Sequence, residues 1–156
     1  MSRQNEIRAM FPSLDKEVYG KKLVYFDNAA TSQRPSSVIE LWNRLTVNST
    51  ANIHRAVHKL AADATDAYED ARDAVKNYIN AAFREEVVFS SGTTASINLV
   101  ASSCSEVFIG DGDEVIVSEA EHHSNIVSWQ LACKRQNARI KVIPVADNDR
   151  LMVESL

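Results

Sequence analysis

The stretch Val87-Val88-Phe89-Ser90-Ser91-Gly92-Thr93-Thr94-Ala95-Ser96-Ile97-Asn98-Leu99-Val100 decides how this chain is read. A short apolar, β-branched run breaks at a glycine and restarts with helical spacing. The first turn of a helix leaves backbone N–H groups without partners, and its dipole favours an anion there. Gly92 permits close approach of backbone to a ligand, and Thr93 and Thr94 add hydroxyl donors. The pattern describes a seat for one phosphate at a strand-to-helix turn. A second polar cluster, Glu119-Ala120-Glu121-His122-His123-Ser124-Asn125, also follows an apolar run directly. Strand ends that deliver polar residues to one edge of a parallel sheet are where α/β enzymes build their sites.

Composition narrows the function. The chain has 156 residues, enough for a sizeable core, with ordinary hydrophobic (45%) and charged (24%) content for a globular domain. Its formal charge of −4 argues against a nucleic-acid binder, which would carry a clustered basic surface. The start, Met-Ser-Arg-Gln-Asn-Glu-Ile-Arg, is too polar for a signal peptide. No apolar run approaches the ~20 residues that span a bilayer. Cys104 and Cys133 form no C-x-x-C pair, so neither a disulfide scaffold nor a zinc site is expected. A cytoplasmic protein with two reduced, packed cysteines is the expectation.

Patterning predicts a short helix over Arg3 to Met10, stopped by Phe11-Pro12, and a strand at Leu23–Phe26 ending in the turn Asp27-Asn28-Ala29-Ala30-Thr31. A helix is predicted from Pro35, with Val38, Ile39, Leu41, Trp42 and Leu45 on its apolar side, interrupted at Asn48–Asn52. Lys59 to Asn80 reads as a long amphipathic helix whose acidic stripe, Asp63, Asp66, Asp70 and Asp73, is a solvated face. Beyond it the pattern alternates: strand Glu86–Phe89, helix Thr93–Ser103, strand Glu114–Ser118, helix Asn125–Gln136 and strand Ile140–Val145. The Gly110-Asp111-Gly112-Asp113 turn leads into the second of these strands. Pro144 ends the last strand or places it at an edge. Helices between short apolar strands predict a parallel sheet covered on its faces. The stretch 149–156 reads as the start of another helix, so the chain looks truncated.

Taken singly, the polar clusters leave alternatives open. The Gly-Thr-Thr turn is neither a P-loop nor a dinucleotide fingerprint, and a threonine at a helix start also serves as an ordinary cap. Glu121-His122-His123 reads as a metal site, as a surface turn, or as an imidazole lying on a planar ligand. Adjacent histidines point in different directions and no further metal ligands stand out. Asn52-Ile53-His54-Arg55-Ala56-Val57-His58 is either a solvated loop or an arm reaching a site, even across a dimer.

Together these segments are specific. Asp27-Asn28-Ala29-Ala30-Thr31, His54-Arg55-x-x-His58, Ser91-Gly92-Thr93-Thr94-x-x-Ile97-Asn98-Leu99-Val100 and Gly112-Asp113-Glu114 followed by Glu121-His122-His123-x-Asn125-Ile126-Val127-x-Trp129 resemble the N-terminal part of cysteine desulfurases. The resemblance is best to the SufS-like branch of the class V aminotransferase group, and runs from near residue 10 to the end. It implies an incomplete fold type I pyridoxal-phosphate (PLP) transferase, an α/β/α three-layer fold with a mostly parallel sheet. Residues 1–22 would be an N-terminal arm, and 23–156 part of the PLP-binding large domain.

By the same resemblance, Gly92, Thr93 and Thr94 hold the cofactor phosphate and His122 stacks on its ring, where it can assist proton transfer. Asn28 and Ala30 lie on the substrate side; His54 and Arg55 approach the site near a homodimer interface. The implied reaction moves sulfur from L-cysteine to an enzyme cysteine, leaving L-alanine, and then to an acceptor protein for iron–sulfur cluster assembly. The Schiff-base lysine, the aspartate at the pyridinium nitrogen, the carboxylate-binding arginine and the persulfide cysteine belong to later family segments. None of the seven lysines, nor Cys104 or Cys133, stands in the matching context. The chain alone is therefore expected to be inactive, to bind PLP weakly, and to be poorly stable because sheet edges lack partners. Selenocysteine lyase, another class V enzyme, or a non-catalytic half-domain that binds a full-length desulfurase remain the alternatives.

Overall fold

A computed structural model describes residues 2–55, 57–146 and 151–152. It separates into two compact units, residues 1–87 and 88–156.

In the first unit, α1 (Arg3–Ala9) is capped by Ser2 and followed by a 3-10 turn at Pro12–Asp15. The Arg8 guanidinium donates to the carbonyls of Leu14 (2.6 Å) and Leu23 (2.8 Å), which ties the helix to the chain beyond it. A minimal hairpin pairs β1 (Glu17–Val18) with β2 (Lys21–Lys22) through Tyr19 and Gly20, both at positive φ. Positive φ at both central positions is what a tight hairpin turn of right-handed strands requires. Helix α2 (Ser36–Asn48) starts directly after Pro35, as expected, and α3 (Lys59–Tyr78) forms where the periodicity placed it.

The strand expected at Leu23–Phe26 does not form. The Leu23 N–H donates to the Lys16 carbonyl (3.0 Å), but no ladder continues along the run, and Val24 and Phe26 are exposed. The run Glu86–Phe89 likewise is not a strand: Arg84–Glu86 is a 3-10 turn, and Val87, which ends it, is extended. β-Branched and aromatic composition suits a pleated surface, but a strand exists only where a neighbour takes its hydrogen bonds.

The second unit is a parallel β-α-β arrangement with a helix before it. Helix α4 (Thr93–Phe108) runs a turn past its expected end. Strand β3 (Glu114–Ser118) pairs in parallel with β4 (Arg139–Ile143), Glu114 opposite Arg139 and Ser118 opposite Ile143, and α5 (His123–Gln136) connects them. β4 stops before Pro144, as a residue without an N–H dictates. Helices α4 and α5 pack against each other, and the residues they bury are small: Ala101 and Ser105 on one, Ser128, Ala132 and Cys133 on the other, with Cys133 Sγ 3.7 Å from the Arg139 carbonyl at the start of β4. Of the helix expected over 149–156, only Leu151 and Met152 are described. Leu151 bridges Val145 in antiparallel fashion, and the rest lies outside the described residues.

Candidate active site

Gly92 is the N-cap of α4, with φ 143° and ψ 176°. An added Cβ there would meet nothing within 4 Å, so the backbone conformation, not crowding, calls for glycine. Glycine supplies no side-chain cap, which leaves the N–H groups of the first turn for another acceptor. The turn is braced from behind: the Gly92 N–H donates to Ser90 Oγ (3.3 Å), and Ser90 Oγ lies 2.5 Å from Ser96 Oγ. Thr93 and Thr94, the first residues of α4, are exposed. Two hydroxyls and an uncapped 16-residue helix start are a donor set that suits a phosphate.

His122 is the N-cap of α5. Its Nδ1 accepts from the Ser124 N–H (3.2 Å) and lies 2.8 Å from Ser124 Oγ. An Nδ1 that accepts from an amide carries no proton, so in the neutral ring the proton sits on Nε2. Glu121 precedes it, held by three contacts. Its Oε1 accepts from Ser118 Oγ (3.0 Å), its Oε2 accepts from Asn125 Nδ2 (2.9 Å), and its N–H donates to the Ser118 carbonyl (3.3 Å). The Asn125 and Ser118 hydrogen bonds hold the Glu121 carboxyl below the usual carboxylate range. Trp129 Nε1 in turn donates to Asn125 Oδ1 (3.1 Å).

Ser96, Ile97 and Val100 from the first half of α4, with Asn125 and Trp129 from the first half of α5, line a cleft of about 220 Å³. Gly92, Thr93, Thr94 and His122 are not among the residues that line this cleft. This unit carries a donor set at one helix start and a planar, proton-bearing ring at the other.

The remaining expected site residues lie in the first unit. Asn28 and Ala30 sit in the turn at 28–30, and Asn28 lines a cleft of about 300 Å³ with Phe11, Leu14, Tyr25, Ser32 and Gln33. Tyr25 Oη shapes that turn by donating to the Thr31 carbonyl (2.6 Å). His54 adopts a left-handed conformation, φ 57°, next to Arg55. It is docked on α3: its N–H donates to Thr65 Oγ1 (3.1 Å), its ring meets Tyr68 edge-on, and its Nε2 lies 3.0 Å from Glu69 Oε1.

Glu69 is the residue that pattern reading missed. Its carboxylate also pairs with Arg72 (3.0 Å) and Arg84 (3.1 Å), while Arg72 donates to the carbonyls of Val87 (3.1 Å) and Arg84 (2.9 Å). A Glu-x-x-Arg step within a helix signals only a local pair. The contacts to Arg84 and His54 span 15 residues each way and leave no mark in the sequence.

The model of the class-V aminotransferase family matches residues 24–156. The chain belongs to that family. It is 47% identical over 152 residues to a probable cysteine desulfurase of Staphylococcus aureus (strain Mu50), covering 97% of this chain and 37% of that protein. Among solved structures, a cysteine desulfurase from Thermococcus onnurineus NA1 superposes with a TM-score of 0.86 at 32% identity, over 99% of this chain and 36% of the other. The cysteine desulfurase CsdA of Escherichia coli superposes with a TM-score of 0.72 at 34% identity, over 94% and 36%. The fold is thus that of part of a fold type I, PLP-dependent cysteine desulfurase, and the chain spans little more than a third of its relatives' length.

Proposed function

We propose that this chain supplies the N-terminal part of a cytoplasmic, homodimeric, PLP-dependent cysteine desulfurase of the SufS-like branch, with residues 1–22 as its arm and 23–156 as part of the large domain. The enzyme takes sulfur from L-cysteine, releases L-alanine, and passes the sulfur through a cysteine persulfide to an acceptor protein of iron–sulfur assembly. The observation that supports this reading is the uncapped Gly-Thr-Thr start of α4 together with the histidine-capped start of α5, on two helices that pack together and share a cleft between their first halves.

PLP, when bound, supplies an electron sink for bonds at the substrate Cα. The chain's own residues bind and orient. Gly92 lets the backbone approach, and the Thr93 and Thr94 hydroxyls with the first-turn N–H groups hold the phosphate. His122 would stack on the ring, and with Nδ1 accepting from the Ser124 N–H its neutral imidazole would carry the proton on Nε2. By the family resemblance Asn28 and Ala30 are assigned to the substrate side, and His54 and Arg55 to a segment near the site. None of the seven lysines, nor Cys104 or Cys133, stands in the sequence context of the family's Schiff-base lysine or persulfide cysteine, so no nucleophile is assigned among them.

Titration of the chain with PLP, followed by absorbance and competed by inorganic phosphate, tests the assignment. The expected result is weak, reversible binding. A hydrogen bond to a charged group contributes ~1.5–3 kcal/mol, so Thr93→Ala and Thr94→Ala should each weaken binding by roughly tenfold or more. Borohydride treatment should fix no PLP on any single lysine. Unchanged affinity in both variants would remove the phosphate seat, and stoichiometric labelling of one lysine would place the Schiff base within this chain.

A further inference from the structure

We propose that Glu121 is a positioning residue for His122, and that a one-way hydrogen-bond relay running from Trp129 through Asn125 to Glu121 sets the β3–α5 turn. The proposal rests on the reading of His122 as the ring-side residue, and it assigns roles to three residues that do not themselves hold the phosphate.

The direction of the relay follows from donor chemistry. An indole Nε1–H can donate and cannot accept. Because it donates to Asn125 Oδ1 at 3.1 Å, the Asn125 amide must present Nδ2 on its other side. That Nδ2 faces Glu121 Oε2 at 2.9 Å, and an ionised carboxylate is acceptor-only. The second carboxylate oxygen accepts from Ser118 Oγ at the end of β3. Glu121 is therefore gripped by the strand on one side and by the first two turns of α5 on the other. The residue held between the two grips is His122, whose carbonyl also accepts from the Asn125 N–H at 2.8 Å. Residues 121, 125 and 129 are four apart, so they stack along one face of α5 and its entry turn. All three are half-buried, where polar partners are strengthened and mismatches are costly. Asn125 and Trp129 line the cleft shared with α4, so the relay forms part of its wall.

The relay predicts the sign of a double substitution. Asn125→Asp places a carboxylate oxygen against Glu121 Oε2, and the link becomes repulsive without a change in size. Adding Glu121→Gln restores it: the new amide donates to the carboxylate at position 125, which still accepts from Trp129, and the amide oxygen still accepts from Ser118. The experiment uses the whole chain at pH 7, labelled with ¹⁵N. It reads the His122 ring nitrogens by NMR and PLP affinity by absorbance, with circular dichroism to follow helix content.

Coupling between touching residues reaches ~0.5–3 kcal/mol, so Asn125→Asp should weaken PLP binding by about tenfold and shift the His122 resonances, and the double variant should return to within about twofold of the parent. A merely structural role would not be rescued by moving the charge from 121 to 125. A double variant no better than Asn125→Asp, or an Asn125→Asp chain with unmoved His122 resonances, overturns the proposal. If the parent binds no PLP yet the His122 resonances shift and recover as described, the relay stands and the cofactor reading falls. Should Asn125→Asp lose helix content, recovery of fold and His122 resonances in the double variant still supports the relay, and failure to recover refutes it.

Discussion

Trp129, Gly92 and Cys133 each act through one elementary property. Trp129 has a single donor and so dictates which way Asn125 turns. Gly92 has no Cβ and so tolerates φ 143° at the mouth of α4. Cys133 is buried on α5 beside the start of β4, where loss of water pushes its thiol up, whereas Cys104 is only half-buried. The thiolate is the reactive form, so an exposed-thiol reagent at pH 8 should modify Cys104 first and Cys133 only with unfolding. Peptide mass spectrometry after timed quenching measures this, and equal rates at both sites would contradict the packing described. Histidine 122 was legible as a candidate because of its neighbours in the chain. Glu69 was not, because its partners at 54 and 84 reach it only through the fold.

At the scale of elements, helix ends are set by local rules and can be tested as such. Helix α5 ends at Asn137 in the left-handed conformation, φ 56°, with its N–H donating to the Cys133 carbonyl. A Cβ in that region costs roughly 1–2 kcal/mol except where glycine or asparagine relieves it, so Asn137→Ala should destabilise the chain by about 1 kcal/mol and Asn137→Gly by much less. Urea unfolding of the two variants measures the difference. The link between α3 and the Arg84–Glu86 turn depends on ionisation. Arg84 beside Asp73 holds that carboxyl below its ordinary value. A carboxyl depressed in the folded state adds stability above the unfolded pKa of about 4 and loses it as pH falls through the lower folded value. Melting temperature should therefore drop on acidification below about pH 4 in the parent, and Asp73→Asn should flatten that part of the curve. A parallel fall in both chains would assign the acid sensitivity to other groups.

Over the whole molecule the apolar surface is large for so few buried residues. Ala61, Val87, Ala101, Val117, Ala132 and Cys133 are the buried apolar residues among those described, whereas Trp42 is 72% exposed, Phe83 67% and Phe108 77%. Exposed apolar area of this kind associates with whatever can cover it. The chain should enhance the fluorescence of anilinonaphthalene sulfonate without denaturant, and its sedimentation coefficient should rise with concentration over the micromolar range. Absence of both would mean that these side chains are covered in solution.

What the sequence determined alone is what short-range physics encodes. Helical periodicity, Pro35, Pro144 and the glycine-threonine turn specify α2, α3, α4, α5 and the end of β4 because each rests on neighbours within a few residues. The motif string from Asn28 to Trp129 was also enough to point to the family, since it is made of residue types at fixed spacing. Only the tertiary structure decided which apolar runs became strands. Glu114–Ser118 forms a ladder with 139–143, whereas Leu23–Phe26 and Glu86–Phe89 are not strands, because a ladder needs a second chain segment in register along it. Tertiary structure alone also brought the first halves of α4 and α5 to one cleft and closed the Glu69 ion cluster. Those contacts depend on distances between residues far apart in the chain, which no local pattern carries.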